Sequence, residues 1–534
     1  MSESIKIYDT TLRDGNQAAG VGLSLSDKLK IAERLSDFGI DYIEGGWPNP
    51  TNQIDTAFYR EVKKLNLKSK ISAFGSTKRP KTNIDEDPFI GDLVAADTGI
   101  VTIYGKSWKL HAIDVIRCTP QENLDMIAES IEHLLQYKDE VIFDAEHFFD
   151  GYKDDPEYAV KALETAKQAG ASCLVLCDTN GGMLPSEFIR IFENVKQKIN
   201  AEFGVHFHND AGCAEANSIL ALQLGATHVQ GTVNGMGERC GNANLCTIIP
   251  TAQVKMNLNL VPDKNLKKLK ELSIAVSDIA NLAHNAHAPY VGDNAFAHKA
   301  GAHADGVRKN SSSFEHISPE IIGNSRDFVV SDQSGRGTIL EILKRILDKN
   351  VDKNEPIVNT VLAKVKELES KGYHFEMAHG TLELLVHKET KDFELPLETI
   401  AFRVIEDKNK DEQPISEATI KIFEKKTQKE VHTAANGDGP VDALYNALLK
   451  AVGELYPSIS QVHLKDFKVR VLEGSEGTAA SVRVLIESSD GINSWGTVGV
   501  STNIIEASWN ALLDSVYYKL LLDKKKQTVL SVSN

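Results

Sequence analysis

Short apolar segments alternate with longer amphipathic segments over about the first 250 residues, a length typical of one barrel domain. In segment 26–38, apolar residues recur at helical spacing between charged ones, at Leu29, Ile31, Leu35 and Phe38. The strand-like segments are 5–8, 40–44, 71–74, 100–104, 141–144, 172–177, 204–207 and 228–232. Eight such units predict an α/β fold, a (β/α)8 TIM barrel. An open doubly wound sheet is the main alternative fold. That fold normally carries a GxGxxG phosphate-binding motif directly after a strand, and the sequence has no such motif.

The pattern changes near residue 255, where helical segments without intervening strands begin. These segments are 266–287, 337–347 and 357–370. Strands reappear beyond residue 372, at 393–406, 418–431, 464–472 and 481–488. Each half of this last region ends in a glycine-containing turn and a helix, at 442–455 and 504–521. The repeat favours a duplicated small-molecule-binding or dimerising domain, with plain oligomerisation as the alternative.

We therefore predict three domains. They are the catalytic TIM barrel over 1–265, a helical linker or lid module over 266–371, and an α+β regulatory and dimerisation domain over 372–534.

The composition excludes several classes of protein. There are 59 basic and 75 acidic residues, a formal charge of −16, so no basic nucleic-acid footprint is expected. No apolar run is long enough to span a membrane, and no signal peptide is recognisable. The cysteines are scattered without a paired framework, which fits a reducing compartment. We expect a cytoplasmic protein that binds neither nucleic acid nor membrane.

The segment DTTLRDG, residues 9–15, follows directly on the first predicted strand. Arg13 and Asp14 place a fixed cation next to a carboxylate where the chain turns at Gly15. Such a pair can hold a metal ion and a carbonyl substrate side by side. A salt-bridged loop is the simpler alternative for this segment taken alone.

Two later segments complete a possible metal site. His206 and His208 are two positions apart on a predicted strand, so both imidazoles point to the same face. A glycine-dense loop, residues 235–243, carries Arg239 and Asn242. One carboxylate, two imidazoles and an amide oxygen suit Mg²⁺, Mn²⁺, Co²⁺ or Zn²⁺ with open positions.

The candidate residues share one location in the predicted fold. All follow the carboxyl ends of strands, where TIM barrels carry their active sites. They are Arg13, Asp14, Glu44, Glu146, Asp178, Thr179, His206, His208 and Asn242. Glu44 is a candidate for orienting Arg13 or a metal ligand.

Four separated motifs resemble those of the DRE-TIM metallolyase family, in the branch of the 2-isopropylmalate, homocitrate and citramalate synthases. The motifs are residues 9–15, 206–208, 235–242 and 296–306. The resemblance runs through nearly the whole chain, including the regulatory domain of the long members. Within the branch, three segments are most similar to citramalate synthases, namely 44–48, 143–150 and 178–182.

The resemblance implies an acyltransferase that condenses acetyl-CoA with pyruvate and then hydrolyses the thioester. A divalent metal is implied as cofactor, with the ligands Asp14, His206, His208 and Asn242. Arg13 is implied to contact the keto carbonyl, and Thr179 to hold the carboxylate of the keto acid. Glu146 and His303 match the residues assigned to proton transfer, with His303 coming from the helical module, often of a neighbouring subunit. No CoA-binding residues are recognisable.

The chain departs from the family pattern in two places. Phe314 stands where many members carry a tyrosine close to the catalytic histidine. Segment 104–108 replaces the Thr-Ser pair that isopropylmalate synthases show after the fourth strand. We interpret Trp47 and Trp108 as possible fillers of the keto-acid pocket, which would favour the methyl group of pyruvate; packing beside the barrel mouth is the alternative.

The likeness also implies regulation and assembly. We expect a homodimer inhibited by isoleucine, the end product of the pathway, with inhibition lost on truncation near residue 375. Two other functions stay open. One is 2-isopropylmalate synthase, which uses 2-ketoisovalerate for leucine synthesis, and the other is a non-catalytic homologue that senses an amino acid.

Overall fold

The structure is a computed structural model that describes residues 5–299, 301–328, 336–408, 415–472 and 480–532. The chain divides into two compact units. The first unit comprises Met1–Phe296 and His316–Arg326, and the second comprises Ala297–Glu315 and Asp327–Asn534. The predicted domain boundaries stay predictions.

Eight parallel strands of the first unit form a closed barrel in chain order. The strands are β1 (Lys6–Asp9), β2 (Tyr42–Glu44), β3 (Lys70–Ser76), β4 (Ile100–Lys106), β5 (Glu140–Glu146), β6 (Cys173–Asp178), β7 (Phe203–Phe207) and β8 (His228–Gly231). Strand β1 pairs with both β2 and β8, which closes the barrel. The predicted TIM barrel is confirmed, and the open doubly wound sheet is excluded.

Helices follow the strands along the first unit. They are α1 (Leu25–Phe38), α2 (Gln53–Glu61), α3 (Pro88–Ala95), α4 (Pro120–Leu134), α5 (Phe148–Asp154), α6 (Pro156–Gln168), α7 (Pro185–Lys198), α8 (Ala214–Gln223), α9 (Leu245–Met256), α10 (Asp263–Leu266) and α11 (Leu269–Ile279). Local sequence fixes the ends of α1. Ser24 and Asp27 form a capping box at its start, and Gly39 ends it with a φ of 105°.

The predicted long helix over 266–287 is wrong in its extent. The chain turns after α10, and α11 ends at Ile279. Asn281 adopts a left-handed φ of 55°, a conformation that a right-handed helix cannot continue through. The apolar periodicity of this segment therefore predicts a helix that is too long, because the left-handed backbone at Asn281 ends α11.

Alternating strand positions separate two layers of buried side chains. Leu174 and Leu176 of β6 belong to the large cluster between strands and helices. Cys173, Val175 and Cys177 of the same strand belong to a smaller cluster with residues of β1, β2, β4 and β5. Because neighbouring strand residues point to opposite faces, the smaller cluster fills the barrel interior.

The second unit combines helices with two antiparallel sheets. Its elements are β9 (Ala297–His298), α12 (Gly301–Lys309), β10 (Asp327–Phe328), α13 (Arg336–Leu347), α14 (Pro356–Ser370), α15 (His379–Thr390), β11 (Leu397–Asp407), β12 (Ile415–Glu424), β13 (Lys429–Gly437), α16 (Pro440–Gly453), β14 (His463–Val471), β15 (Val482–Ser489), β16 (Ser494–Ser501) and α17 (Ile504–Val532). Three strands and a helix occur twice, so the predicted internal repeat is present with one more strand in each half.

Helix α15 has no counterpart in the sequence prediction. Its side chains Leu382, Leu385 and Val386 share a buried cluster with residues of α13 and α14. That cluster draws residues from both sides of the predicted boundary at residue 372, so the chain is not separable there without exposing apolar surface.

No helix within the described residues is both long and apolar enough to cross a membrane. All six cysteines are free.

Candidate active site

A cavity of about 200 Å³ opens at the carboxyl ends of the barrel strands. It is lined by Arg13, Asp14, Gln17, Trp47, Phe74, Tyr104, Asp144, Glu146, Cys177, Thr179, His206, His208, Glu238 and Arg239. The predicted site residues that line this cavity are Arg13, Asp14, Glu146, Thr179, His206 and His208. Asn242 does not line the cavity but contacts Asp14.

Asp14, His206 and His208 form a compact buried trio. Oδ2 of Asp14 lies 3.5 Å from Nε2 of His206 and 3.8 Å from Nε2 of His208. The two Nε2 atoms are 3.4 Å apart. All three side chains are buried, and within the described residues this is the one cluster of its kind with metal-ligating geometry. Strand alternation produces it, since Phe207 between the histidines points outward and stacks on Phe149.

The glycine loop delivers Asn242 to this trio. Asn242 forms an antiparallel bridge with His208, which carries its amide to the strand end. Nδ2 of Asn242 donates to Oδ1 of Asp14 at 3.0 Å and to the carbonyl of Met236 at 3.1 Å. Gly241 is required here: its φ is 87°, and a Cβ atom would overlap the carbonyl of Gly235.

The trio and Asn242 fit a divalent metal. Oδ1 of Asn242 is buried and has no hydrogen-bond partner among the described residues, although a buried amide oxygen normally has one. A carboxylate, two imidazoles and this amide oxygen are the ligand types expected of an open O/N site. The orphaned oxygen therefore supports a ligand that the chain itself does not supply.

The protonation states also suit metal binding. Burial opposes ionisation of Asp14, but Arg13 and His206 outweigh burial and hold its pKa well below its usual range. Burial and the neighbouring His206 lower the pKa of His208 to about 4, so its imidazole is neutral at pH 7. Burial disfavours the cation on His206, while its contact with Asp14 outweighs burial and raises its pKa. Metal binding would displace that proton.

Arg13 is held rigidly beside the trio. Its Nε donates to Oε2 of Glu44 at 2.6 Å, and Nη1 donates to Oδ2 of Asp14 at 3.0 Å. The guanidinium lies 3.8 Å from the ring centroid of Phe74. Glu44 is itself fixed by the hydroxyl of Tyr8, which donates to it at 2.7 Å. Glu44 therefore contacts Arg13, as its predicted orienting role requires, and the role itself stays a prediction.

Glu146 ends β5 and Thr179 directly follows β6, and both side chains line the cavity. Glu146 at the end of β5 forms an ion pair with Lys106 at the end of β4, because the register of the two strands sets these residues side by side. The hydroxyl oxygen of Thr179 accepts the backbone N–H of His147 at 2.9 Å. The hydroxyl hydrogen of Thr179 is then available to donate to a bound group.

The residues that the sequence analysis missed include three that contact predicted site residues. Lys106 partners Glu146, while Gln230 and Asp144 connect to His206 through hydrogen bonds. Asp144 precedes Glu146 by two positions and so shares its strand face, which is the signal that would have found it. Gln230 carried no such signal, because its place beside His206 depends on the pairing of β7 with β8.

Three aromatic rings form one wall of the cavity. Trp47 packs edge-on against Phe74 and Tyr104, with centroid distances of 5.9 Å and 5.6 Å. Trp108 is not among the lining residues: its Nε1 donates to Asp154 at 3.0 Å. The interpretation of Trp108 as a pocket filler is therefore wrong in this geometry, and packing at the barrel mouth describes it better.

His303 belongs to the second unit. It lies on α12, and its ring stacks on Phe314 with a centroid distance of 4.4 Å. His298 and Glu315 form a buried pair in the same segment, with Nε2 and Oε1 2.9 Å apart. The catalytic role of His303 stays a prediction.

Comparisons with known proteins cover nearly the whole chain. Residues 4–276 match the HMGL-like family model. Residues 290–373 match the model described as "Homocitrate synthase post-HMGL domain-like", and residues 376–520 match the "LeuA allosteric (dimerisation) domain".

Curated relatives cover nearly the full length. The chain is 50% identical to the (R)-citramalate synthase of Aquifex aeolicus, over 98% of this chain and 99% of that protein. It is 48% identical to the (R)-citramalate synthase of Geobacter sulfurreducens, over 97% of both chains. Identity to the 2-isopropylmalate synthase of Methanocaldococcus jannaschii is 31%, over 98% of this chain and 96% of that protein. The chain therefore belongs to the HMGL-like family of enzymes, in the group of the (R)-citramalate synthases.

Proposed function

We propose that this protein is a cytoplasmic acyltransferase that condenses acetyl-CoA with pyruvate and water, giving citramalate and CoA for isoleucine biosynthesis. The observation that carries the proposal is the buried trio of Asp14, His206 and His208 with the fixed guanidinium of Arg13 at its edge. Such a site suits a reaction that develops negative charge on a keto-acid oxygen. Identity of 50% to an (R)-citramalate synthase supports the choice of substrates.

Asp14, His206, His208 and Asn242 would hold the divalent metal. Their mixed oxygen and nitrogen donors suit Mg²⁺, Mn²⁺, Co²⁺ or Zn²⁺. When bound, the metal supplies a Lewis acid for the oxygen of the keto acid.

Arg13 and Thr179 bind the keto acid. Two N–H groups of Arg13 donate to Glu44 and Asp14. Its other N–H groups can then stabilise the developing alkoxide. The hydroxyl of Thr179 donates to the carboxylate of pyruvate. Both groups are pre-oriented by protein contacts, so little ordering is needed when the substrate binds.

Glu146 and His303 share the proton transfers. A base removes a proton from the methyl group of acetyl-CoA, and the resulting carbon nucleophile forms a C–C bond to the keto carbon. The carbonyl electron pair moves to oxygen, which then takes up a proton. Water next attacks the thioester carbonyl and the CoA thiolate leaves. Lys106 forms an ion pair with Glu146 and so positions its carboxylate at the end of the barrel strand.

The aromatic wall favours the smallest keto acid. Trp47, Phe74 and Tyr104 fill the side of a cavity of only about 200 Å³. A pocket that excludes added methyl groups discriminates by about 10- to 200-fold per methylene. We therefore propose pyruvate over 2-ketoisovalerate, the substrate class of 2-isopropylmalate synthases.

The second unit would carry regulation and assembly. The match of residues 376–520 to an allosteric dimerisation domain supports a homodimer controlled by an amino acid, which we propose is isoleucine. Truncation near residue 375 would remove α15 from the cluster it shares with α13 and α14. Ending the chain after Lys391 retains α15, and isoleucine inhibition is expected to be lost in that variant. Retained inhibition would count against a regulatory site beyond residue 391.

Release of CoA thiol from acetyl-CoA, with Mn²⁺ or Mg²⁺ and a panel of 2-keto acids, tests the proposal. Strong preference for pyruvate is the expected result. Preference for 2-ketoisovalerate would favour 2-isopropylmalate synthase, and no thiol release with any keto acid would favour a non-catalytic amino-acid sensor.

A further inference from the structure

Lys28 is a lysine with almost no contact with solvent. Its side chain is 1% exposed, on the inner face of α1. Nζ donates to the carbonyl of Gly45 at 3.1 Å and forms an ion pair with Asp55 of α2. Burial lowers the pKa of Lys28, while Asp55 opposes that shift.

Asp55 holds the segment that follows β2. Its Oδ2 accepts the backbone N–H of Trp47 at 2.9 Å and Nδ2 of Asn52 at 2.7 Å. Gly46 lies directly against the same carboxylate, with a φ of 144° and no room for a Cβ atom. Residues 45–47 are therefore all fixed by the Lys28–Asp55 pair, through a carbonyl, a close backbone approach and an N–H group.

This segment connects two parts of the active site. Glu44, just before it, holds Arg13. Trp47, at its end, packs against Phe74 and Tyr104 in the cavity wall. A change in the path of residues 45–47 would move the indole and alter the space left for a substrate side chain.

Stability alone does not account for such a pair. Removing two charges from water is unfavourable, and apolar residues of similar volume often serve a fold as well or better. The pair supplies directional hydrogen bonds to the Gly45 carbonyl and the Trp47 N–H, which apolar side chains cannot form. We propose that Lys28 and Asp55 are positioning residues for substrate specificity, which fix Trp47 in the cavity wall and so restrict the keto acid to a methyl side chain.

The inference rests on the proposed function, because it assumes that the cavity binds a keto acid. It predicts that loosening the pair widens the cavity beside Trp47. Keto acids one methylene longer than pyruvate, such as 2-ketobutyrate, should then compete better. Pyruvate should lose binding, because its methyl group would no longer meet a fixed wall.

The test compares kcat/KM for pyruvate with kcat/KM for 2-ketobutyrate in three variants of the full chain. Lys28→Met with Asp55→Leu removes both polar ends and leaves no unpaired charge. Asp55→Asn removes only the carboxylate charge at nearly unchanged volume, and it leaves the buried Lys28 without an ionic partner. Lys63→Met is the matched control, since it breaks the exposed pair with Asp97 away from this segment. The ratio of the two constants does not depend on how much of a sample is folded, so a stability loss alone leaves it unchanged.

We expect the ratio to fall at least tenfold in the double variant and about threefold in Asp55→Asn, with no change in Lys63→Met. A ratio within twofold of wild type in the folded variants would overturn the inference. Calorimetric binding of each keto acid with Mn²⁺, without acetyl-CoA, gives a second readout. Wild-type enzyme that binds pyruvate without releasing thiol would contradict the proposed function, and the binding ratios would still decide the inference. Wild-type enzyme that binds no keto acid would overturn the inference as well.

Discussion

Nδ1 of His206 lies 2.9 Å from Oε1 of Gln230, on the side of the imidazole ring away from Asp14. Nε2 of Gln230 donates to Oδ1 of Asp144 at 3.0 Å, which leaves Oε1 as the acceptor towards His206. Nδ1 of His206 therefore carries the proton, and Nε2 presents its lone pair to the proposed metal site. Gln230, which is not itself a proposed ligand, thus sets the tautomer of His206, which is one.

Replacing Gln230 with Leu should weaken metal binding without removing a ligand. The imidazole of His206 loses the contact that fixes its tautomer and orientation, and we expect Mn²⁺ affinity to fall about 10- to 100-fold. Titration calorimetry with Mn²⁺ measures the change. Gln223→Leu, on the exposed end of α8, is the matched control and should bind Mn²⁺ like wild type. Equal affinity in both variants would argue against the tautomer role.

The trio was predictable from sequence because each signal is local. Asp14 stands in a distinctive heptad, and the two histidines share a strand face by simple alternation. Gln230 was not predictable, since only the pairing of β7 with β8 sets it beside His206. The same limit applies to Trp108, which follows a barrel strand yet points to Asp154 and away from the cavity. Strand alternation predicts which way a side chain points within a strand, but it does not predict the orientation of side chains in the loops that follow.

The fold, like the site, was predictable where the sequence signal is local or repeated. The barrel was predictable because eight repetitions of one pattern outweigh errors at single elements. The end of α11 was not, because the left-handed backbone at Asn281 interrupts an otherwise helical apolar pattern. Helix α15 was not predicted, because its apolar residues pack into two different clusters. They therefore do not form the single apolar face that identifies an amphipathic helix in a sequence.

His228 should make the barrel sensitive to acid. It is fully buried between Tyr8 and Tyr42, and burial lowers its pKa to about 3. The folded state keeps it neutral, whereas the unfolded state takes up a proton below its ordinary pKa of about 6.5. Its contribution to stability is therefore full above pH 6.5 and falls as the pH drops towards 3.

Replacing His228 with Phe should remove this dependence. At pH 5 the difference in unfolding free energy between variant and wild type should shift in favour of the variant by about 2 kcal/mol relative to pH 7. Urea unfolding at the two pH values measures it. An identical pH dependence in both proteins would mean that His228 is protonated in the folded barrel.

Asp514 should give the second unit the opposite pH dependence. It is half-buried on α17, accepts the hydroxyl of Thr381 at 2.8 Å, and desolvation of its carboxyl group raises its pKa to about 7. Folding favours its protonated form, so its contribution is full below about pH 4 and is lost as the pH rises through 7. Asp514→Asn should be more stable than wild type at pH 8 by about 2 kcal/mol or more, relative to pH 5. Thermal unfolding at both pH values, with the exposed Asp438→Asn as control, would show no such gain if Asp514 were ionised when folded.

Glu146→Gln should separate catalysis from binding. Losing a base that acts in the transition state lowers kcat by about 10²- to 10⁴-fold. Glu146 is not one of the proposed metal ligands, so calorimetric binding of Mn²⁺ and pyruvate should stay within threefold of wild type. The control is Glu157→Gln on the exposed face of α6, which should keep wild-type kcat. Near-normal thiol release from Glu146→Gln would assign the base to another residue.

Trp47→Ala and Trp108→Ala make a matched pair for the origin of keto-acid preference. Both change an indole after a barrel strand to a methyl group, but only Trp47 lines the cavity. In Trp47→Ala the preference for pyruvate over 2-ketoisovalerate, measured as the ratio of kcat/KM values, should fall at least tenfold, because space opens beside Phe74 and Tyr104. In Trp108→Ala the ratio should stay within twofold of wild type. The reverse result would place the selecting surface at the barrel mouth, where Trp108 contacts His111, and would mean that the aromatic wall packs the site without choosing the substrate.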